Sequence, residues 1–85
     1  MNVKQYSQLK EVEKYFNQAV YGSYLKSMPR TSVDLVEVYY KEKNPNKYVN
    51  KSCSACVLNM CKEVGKDYFE FQSKLKNRTN KNISD

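Results

Sequence analysis

Eighty-five residues, with 15 Lys plus Arg against 9 Asp plus Glu, make one domain of net charge +6. No run approaches the ~20 apolar residues of a membrane span. The chain has no histidine to serve as a catalytic base, and its two glycines, Gly22 and Gly65, are too few for a glycine-rich phosphate loop. The composition points to a small, basic, non-enzymatic domain with no cofactor and no small-molecule substrate. Leu, Ile, Val and Phe total 18 residues, so the core is marginal for a folded chain. Eight tyrosines offset this, each giving large apolar area with a polar tip suited to half-buried positions.

The first predicted element is a helix over residues 5–27. Leu9, Val12, Phe16, Ala19 and Val20 recur at spacings of three and four, with Tyr6 and Tyr24 at the edge of the stripe. Gly22 either ends this helix early or marks a close approach by a neighbour. Pro29 closes the segment, because the residue before proline disfavours the helical region. Thr31 then reads as an N-cap with Asp34 three residues on. The run from Val33 to Tyr40 is rich in β-formers, but a lone strand has no sheet to join, so a helix from Ser32 to about Lys43 is preferred. Asn44-Pro45-Asn46 is a turn. A loop to Ser52 follows, with Tyr48 and Val49 as anchors onto the core.

The third helix is the strongest signal. Cys53, Cys56, Val57, Met60, Cys61, Val64, Tyr68, Phe71 and Leu75 fall within an arc of roughly 140°. Ser52 or Ser54 is the expected cap and Lys76 the expected end. The fold class is therefore all-α: a three-helix domain over residues 1–76 whose C-terminal helix is long and amphipathic, then a flexible polar tail over 77–85.

The charge is uneven. Residues 41–85 hold 10 of the basic groups and 5 of the acidic ones. Lys41, Lys43, Lys47 and Lys51 gather around the loop, and Lys74, Lys76, Arg78 and Lys81 near the C-terminus. A basic half suits a polyanion, so these lysines and Arg78 are candidate DNA contacts. A helix-turn-helix reading is disfavoured by the length of the Asn44–Ser52 connection and by the lack of a basic row early in the third helix. Tyr15, Tyr21, Tyr39, Tyr40 and Tyr48 exceed what so small a core can bury, and they are the candidate contacts to protein neighbours or to a second copy of the chain.

Cys53, Cys56 and Cys61 form Cys-x2-Cys-x4-Cys, three soft ligands where structural zinc takes four. Their position on the apolar arc favours packing as small hydrophobes over metal binding or thiol redox chemistry. Met1-Asn2-Val3-Lys4 leads directly into an amphipathic segment, so no signal peptide is expected. The Asn-x-Ser/Thr triplets at Asn50, Asn77 and Asn82 are then not read as glycosylation sites, and the thiols are expected to stay reduced.

The residues from Asn50 to Val57, with Met60, Val64-Gly65 and Tyr68 after them, resemble a segment of small proteins from tailed phages that infect Bacteroidota, including crAss-like phages. There too a loop leads into a Ser-Cys-x-x-Cys helix. The resemblance covers about residues 33–72. It implies an accessory or virion-associated protein, located in the host cytoplasm or the virion, and it implies no chemistry. The expected function is docking onto protein neighbours, with the basic half offered to nucleic acid. A dedicated DNA-binding regulator and a phage inhibitor of a host enzyme or defence system are the alternatives.

Overall fold

In the computed structural model, residues 1–84 are described, with side chains described for residues 1–76. The chain is all-α. Its elements are α1 (Val3–Leu9), a 3-10 turn (Lys10–Val12), α2 (Glu13–Gly22), α3 (Arg30–Lys43) and α4 (Ser54–Ser84). Among the described residues there is no strand, so Val33–Tyr40 is helical. Val33, Val36 and Tyr39 are buried at every third position, a register only a helix provides.

The single first helix expected over 5–27 is instead a broken run. Asn2 caps α1 through a reciprocal box: its Oδ1 accepts from Gln5 N–H at 2.8 Å, and Gln5 Oε1 accepts from Asn2 N–H at 2.9 Å. The 3-10 turn then separates two segments with different neighbours. Helix α1 packs on α3 and α4, whereas α2 lies almost wholly along α4. The tighter turn lets both segments bury their apolar residues: Leu9 just before it and Val12 at its end are both buried. The run stops at Gly22, five residues early. The left-handed turn falls on Ser23 (φ 57°), not on the glycine, and a second one falls on Ser27 (φ 53°). Gly22 is covered by its near neighbour: a Cβ there would stand 2.4 Å from Tyr24 Cε1.

Helix α3 starts two residues before its predicted start. Pro29 supplies the cap position, its carbonyl accepting from Ser32 and Val33 N–H at 3.0 and 3.1 Å. Thr31 is therefore inside the helix and Asp34 is not a capping residue. Asp34 pairs with Arg30 and Lys51.

In the connection to α4, Val49 is buried as expected, but Tyr48 is 82% exposed and anchors nothing. Two bonds from Asn50 shape the turn into α4: its Oδ1 accepts from Ser52 N–H and its carbonyl from Cys53 N–H, each at 3.0 Å. Neither serine caps the helix. Cys53 does, its Sγ accepting from Cys56 N–H at 3.3 Å while its carbonyl accepts from Val57 N–H at 3.1 Å.

Helix α4 carries past the end expected near Lys76. The flexibility predicted for 77–85 concerns residues outside those with described side chains. Its apolar stripe forms the centre of the core through Val57, Met60, Cys61, Val64 and Tyr68. The ends of the predicted stripe differ. Cys53 and Cys56 at one end, and Phe71 and Leu75 at the other, are half-buried, because α4 outruns the helices that cover it. Tyr68 takes the central place. Its ring stacks on Tyr6 (centroids 4.7 Å apart, 20° between planes) and tilts against Phe16 at 5.2 Å.

Candidate functional site

The five tyrosines predicted to face partners divide. Tyr15 and Tyr39 are buried in this chain's own core, at 6% and 7% exposure. Both lie on helix faces that meet other elements, so they are corrected from interface to core residues. Tyr40 is half-buried against the core. Tyr21 and Tyr48 are exposed.

Tyr21 is not a free side chain. At 73% exposure its ring still lies 5.4 Å from that of Phe69 on α4, and Phe69 packs edge-on against Tyr68 at 5.4 Å. Tyr24, 52% exposed, folds back over Gly22 next to Tyr21 in sequence. An aromatic patch is thus built where α2 ends against α4, and a line of rings connects it to the core. Sequence reasoning reached Tyr21 but not Phe69, whose position one residue after the buried Tyr68 is its only sequence signal.

The lysine clusters also divide. Lys43 donates to Asp67 Oδ2 on α4. Its ammonium is pushed up from the usual lysine value chiefly by that hydrogen bond. Lys51 Nζ sits between Asp34 Oδ1 at 2.9 Å and Glu37 Oε1 at 3.1 Å, and these two hydrogen bonds raise it likewise. Lys74 pairs with Glu70 one turn earlier, at 3.4 Å. Three of the predicted nucleic-acid contacts therefore already face carboxylates of their own chain. Lys41, Lys47 and Lys76 are exposed and hold no ion pair among the described residues. Arg78 and Lys81 lie outside the residues with described side chains. The i,i+4 pair Lys74–Glu70 is readable from sequence. The pairs made by Lys43 and Lys51, 24 and 17 residues apart, are not.

Beside Lys43 an open cleft of about 310 Å³ is lined by Met1, Tyr39, Asp67, Glu70, Phe71 and Lys74. The Tyr39 hydroxyl donates to Asp67 Oδ2 at 3.2 Å. Burial, then the Asp67 carboxylate, push this phenol up to about 12. It stays protonated and has no use as a base at neutral pH. A second buried phenol, Tyr68, is raised mainly by burial, with the Tyr6 hydroxyl and Glu13 beside it. Gln72 Nε2 closes that edge of the core by donating to Tyr6 Oη at 3.0 Å and Glu13 Oε1 at 2.9 Å.

The cysteines do not behave as one set. Cys61 is fully buried, its Sγ 3.8 Å from Met28 Sδ, and burial pushes its thiol up to about 12. Cys53 and Cys56 are half-exposed at the start of α4 with their sulfurs 2.7 Å apart. Core packing, predicted for all three, holds fully for Cys61 and in part for Cys56, which is half-buried against the core, but not for Cys53. The first turn of α4 extends beyond the covering helices and leaves the other two at the rim. Among the described residues no group of three or more His, Cys, Asp or Glu is placed to hold a metal ion, and no helix is long and apolar enough to cross a membrane.

The chain matches no protein-family model, no curated protein and no solved structure.

Proposed function

We propose that this protein is a small non-enzymatic accessory protein of the phage type, which acts by docking onto a protein neighbour through the aromatic patch of Tyr21, Tyr24 and Phe69. The observation that carries the reading is the state of Tyr21, largely exposed yet held against Phe69. A ring fixed before binding gives up little conformational freedom on docking, and tyrosine is enriched among residues that dominate interface energy. The nucleic-acid reading ranks second, because Lys43, Lys51 and Lys74 spend their charge on Asp67, Asp34, Glu37 and Glu70.

Size-exclusion chromatography with light scattering, before and after nuclease treatment, tests the reading with a second copy as the first neighbour. Docking predicts a mass above the 10.0 kDa of one chain, insensitive to nuclease and reduced in the double variant Tyr21→Ser/Tyr24→Ser. Wild type and variant that are both monomeric at millimolar concentration remove the second copy as that neighbour. A mass that collapses on nuclease treatment overturns the reading in favour of nucleic acid.

A further inference from the structure

We infer that Cys53 and Cys56 form a reversible dithiol–disulfide site that exchanges with small disulfides, Cys53 being the attacking sulfur and Cys56 the resolving one. The inference is independent of the docking reading. Its first support is proximity. The two sulfurs are 2.7 Å apart, so closing a bond of roughly 2.05 Å needs an approach of well under an ångström. Two cysteines three residues apart at a helix start bring this about: Cys53 is the cap and Cys56 the third helical residue, and both side chains turn toward the same end of α4.

The second support is the difference between the two sulfurs. Cys53 Sγ accepts both the Cys56 thiol proton and the Cys56 backbone N–H. Both bonds favour its thiolate, as does the positive end of the α4 dipole. The Cys53 thiol is accordingly held below the usual cysteine value, first by the bond from the Cys56 thiol, and the same bond raises Cys56. Cys56 keeps the shared proton while Cys53 is the nucleophile. Access separates this pair from the third cysteine: Cys61 is buried among Met28 and the core and takes no part.

The exchange balances with a small disulfide RSSR as oxidant. The Cys53 thiolate attacks one sulfur, the Cys53–SR bond forms, and the RS–SR bond breaks with RS⁻ leaving. Cys56 then loses its proton, which the released RS⁻ takes up through solvent. The Cys56 thiolate attacks Cys53 Sγ, the Cys53–Cys56 bond forms, and the second RS⁻ leaves and is protonated from solvent. The proton that the second RS⁻ takes up replaces the one Cys53 released to solvent on ionising, so the net change is one dithiol and one RSSR to one protein disulfide and two RSH. The reduced pair caps α4 with a sulfur of thiolate character, and a disulfide sulfur is a poorer acceptor. The fold therefore favours the reduced state, which makes the couple an oxidising, readily reduced one.

The test uses the whole chain equilibrated in buffers of reduced and oxidised glutathione, then acid-quenched, alkylated and analysed by intact mass and peptide mapping. The expected result is a monomeric species lacking two hydrogens, with the bond mapped to Cys53–Cys56. In the reduced protein Cys53 should alkylate several-fold faster than Cys56 at pH 7. Cys56→Ser should accumulate one glutathione on Cys53. Serine is itself a strong N-cap, so Cys53→Ser should stay helical by circular dichroism and form no internal bond. Thermal melting adds an independent readout: the oxidised chain should melt at or below the reduced one, where an ordinary structural disulfide raises the midpoint. Disulfides formed only between chains, or equal alkylation of Cys53 and Cys56 at the rate of a free cysteine, would overturn the assignment.

Discussion

Gly65 of α4 lies against Val20 of α2 so closely that a Cβ on the glycine would stand 2.7 Å from Val20 Cγ2, with Phe16 Cβ at 3.2 Å. A glycine inside a helix costs about 1 kcal/mol relative to alanine. Here it permits close contact between α2 and α4, the two helices most extensively packed against each other.

The first expectation follows from that contact. Gly65→Ala gains helix propensity but forces Val20 and Phe16 aside, and overpacking of this kind costs about 1–3 kcal/mol. The net effect on urea unfolding should be destabilising. Val20→Ala removes the nearest methyl, so the double variant Gly65→Ala/Val20→Ala should be more stable than the two single effects added. Additive effects would mean that the two residues are not in contact.

A second expectation concerns the stripe of α4. Tyr68 is fully buried, stacks on Tyr6 and touches Phe16, so Tyr68→Ala should cost about 3–5 kcal/mol. Phe71 is half-buried and meets Tyr6 at 5.4 Å on the core's edge. Phe71→Ala should cost roughly half as much. Equal losses in chemical denaturation would place Phe71 in the core after all.

These two residues show what was legible in the sequence. The period of α4 marks its buried face from residue to residue, because each turn repeats the same constraint. Where that face stops being covered depends on how far the other helices reach, and that length is set by contacts distant in sequence. The same limit explains Tyr15 and Tyr39, which surplus of tyrosine alone placed on the surface. The break at Lys10–Val12 was also hidden, since the 3-10 turn keeps Leu9 and Val12 on the apolar side that an unbroken helix would give them. In the candidate site the Cys53-Ser54-Ala55-Cys56 spacing was plain, but the rim position that exposes it was not.

A third expectation is loss of stability in alkali. Cys61 has its thiol raised from 9.0 to about 12, and Tyr39 its phenol from 10.0 to about 12. Both are raised above their unfolded values, so both favour the fold fully at neutral pH. Their contribution falls as pH climbs from about 9 for the thiol, and from about 10 for the phenol, through about 12. Thermal midpoints should be flat from pH 7 to 9 and then drop. Cys61→Ala should push the start of the drop toward pH 10. Tyr39→Phe loses the bond to Asp67 and should be the less stable protein at pH 7, with the difference from wild type narrowing above pH 10. A midpoint unchanged up to pH 11 in wild type would contradict the burial of both groups.

The fourth expectation separates positive charge that ties the fold together from positive charge open to a polyanion. Lys43 and Lys51 are pinned to Asp67, Asp34 and Glu37. Reversing either to glutamate sets carboxylate against carboxylate, so Lys43→Glu or Lys51→Glu should lower the urea midpoint and confuse any binding experiment. Lys41 and Lys47 are exposed and hold no ion pair among the described residues, so Lys41→Glu/Lys47→Glu should leave stability unchanged. If duplex DNA binds, each phosphate contact adds about −0.9 to the slope of log K against log salt. The Lys41/Lys47 double variant should then make a wild-type slope shallower by nearly 2 while the fold stays intact. Fluorescence anisotropy at two salt concentrations reads the slope, and circular dichroism checks the fold. No binding by wild type at 50 mM salt would leave the net charge of +6 to solvation and internal pairing. A slope that the variant does not change would move the contact to basic groups on other faces of the chain.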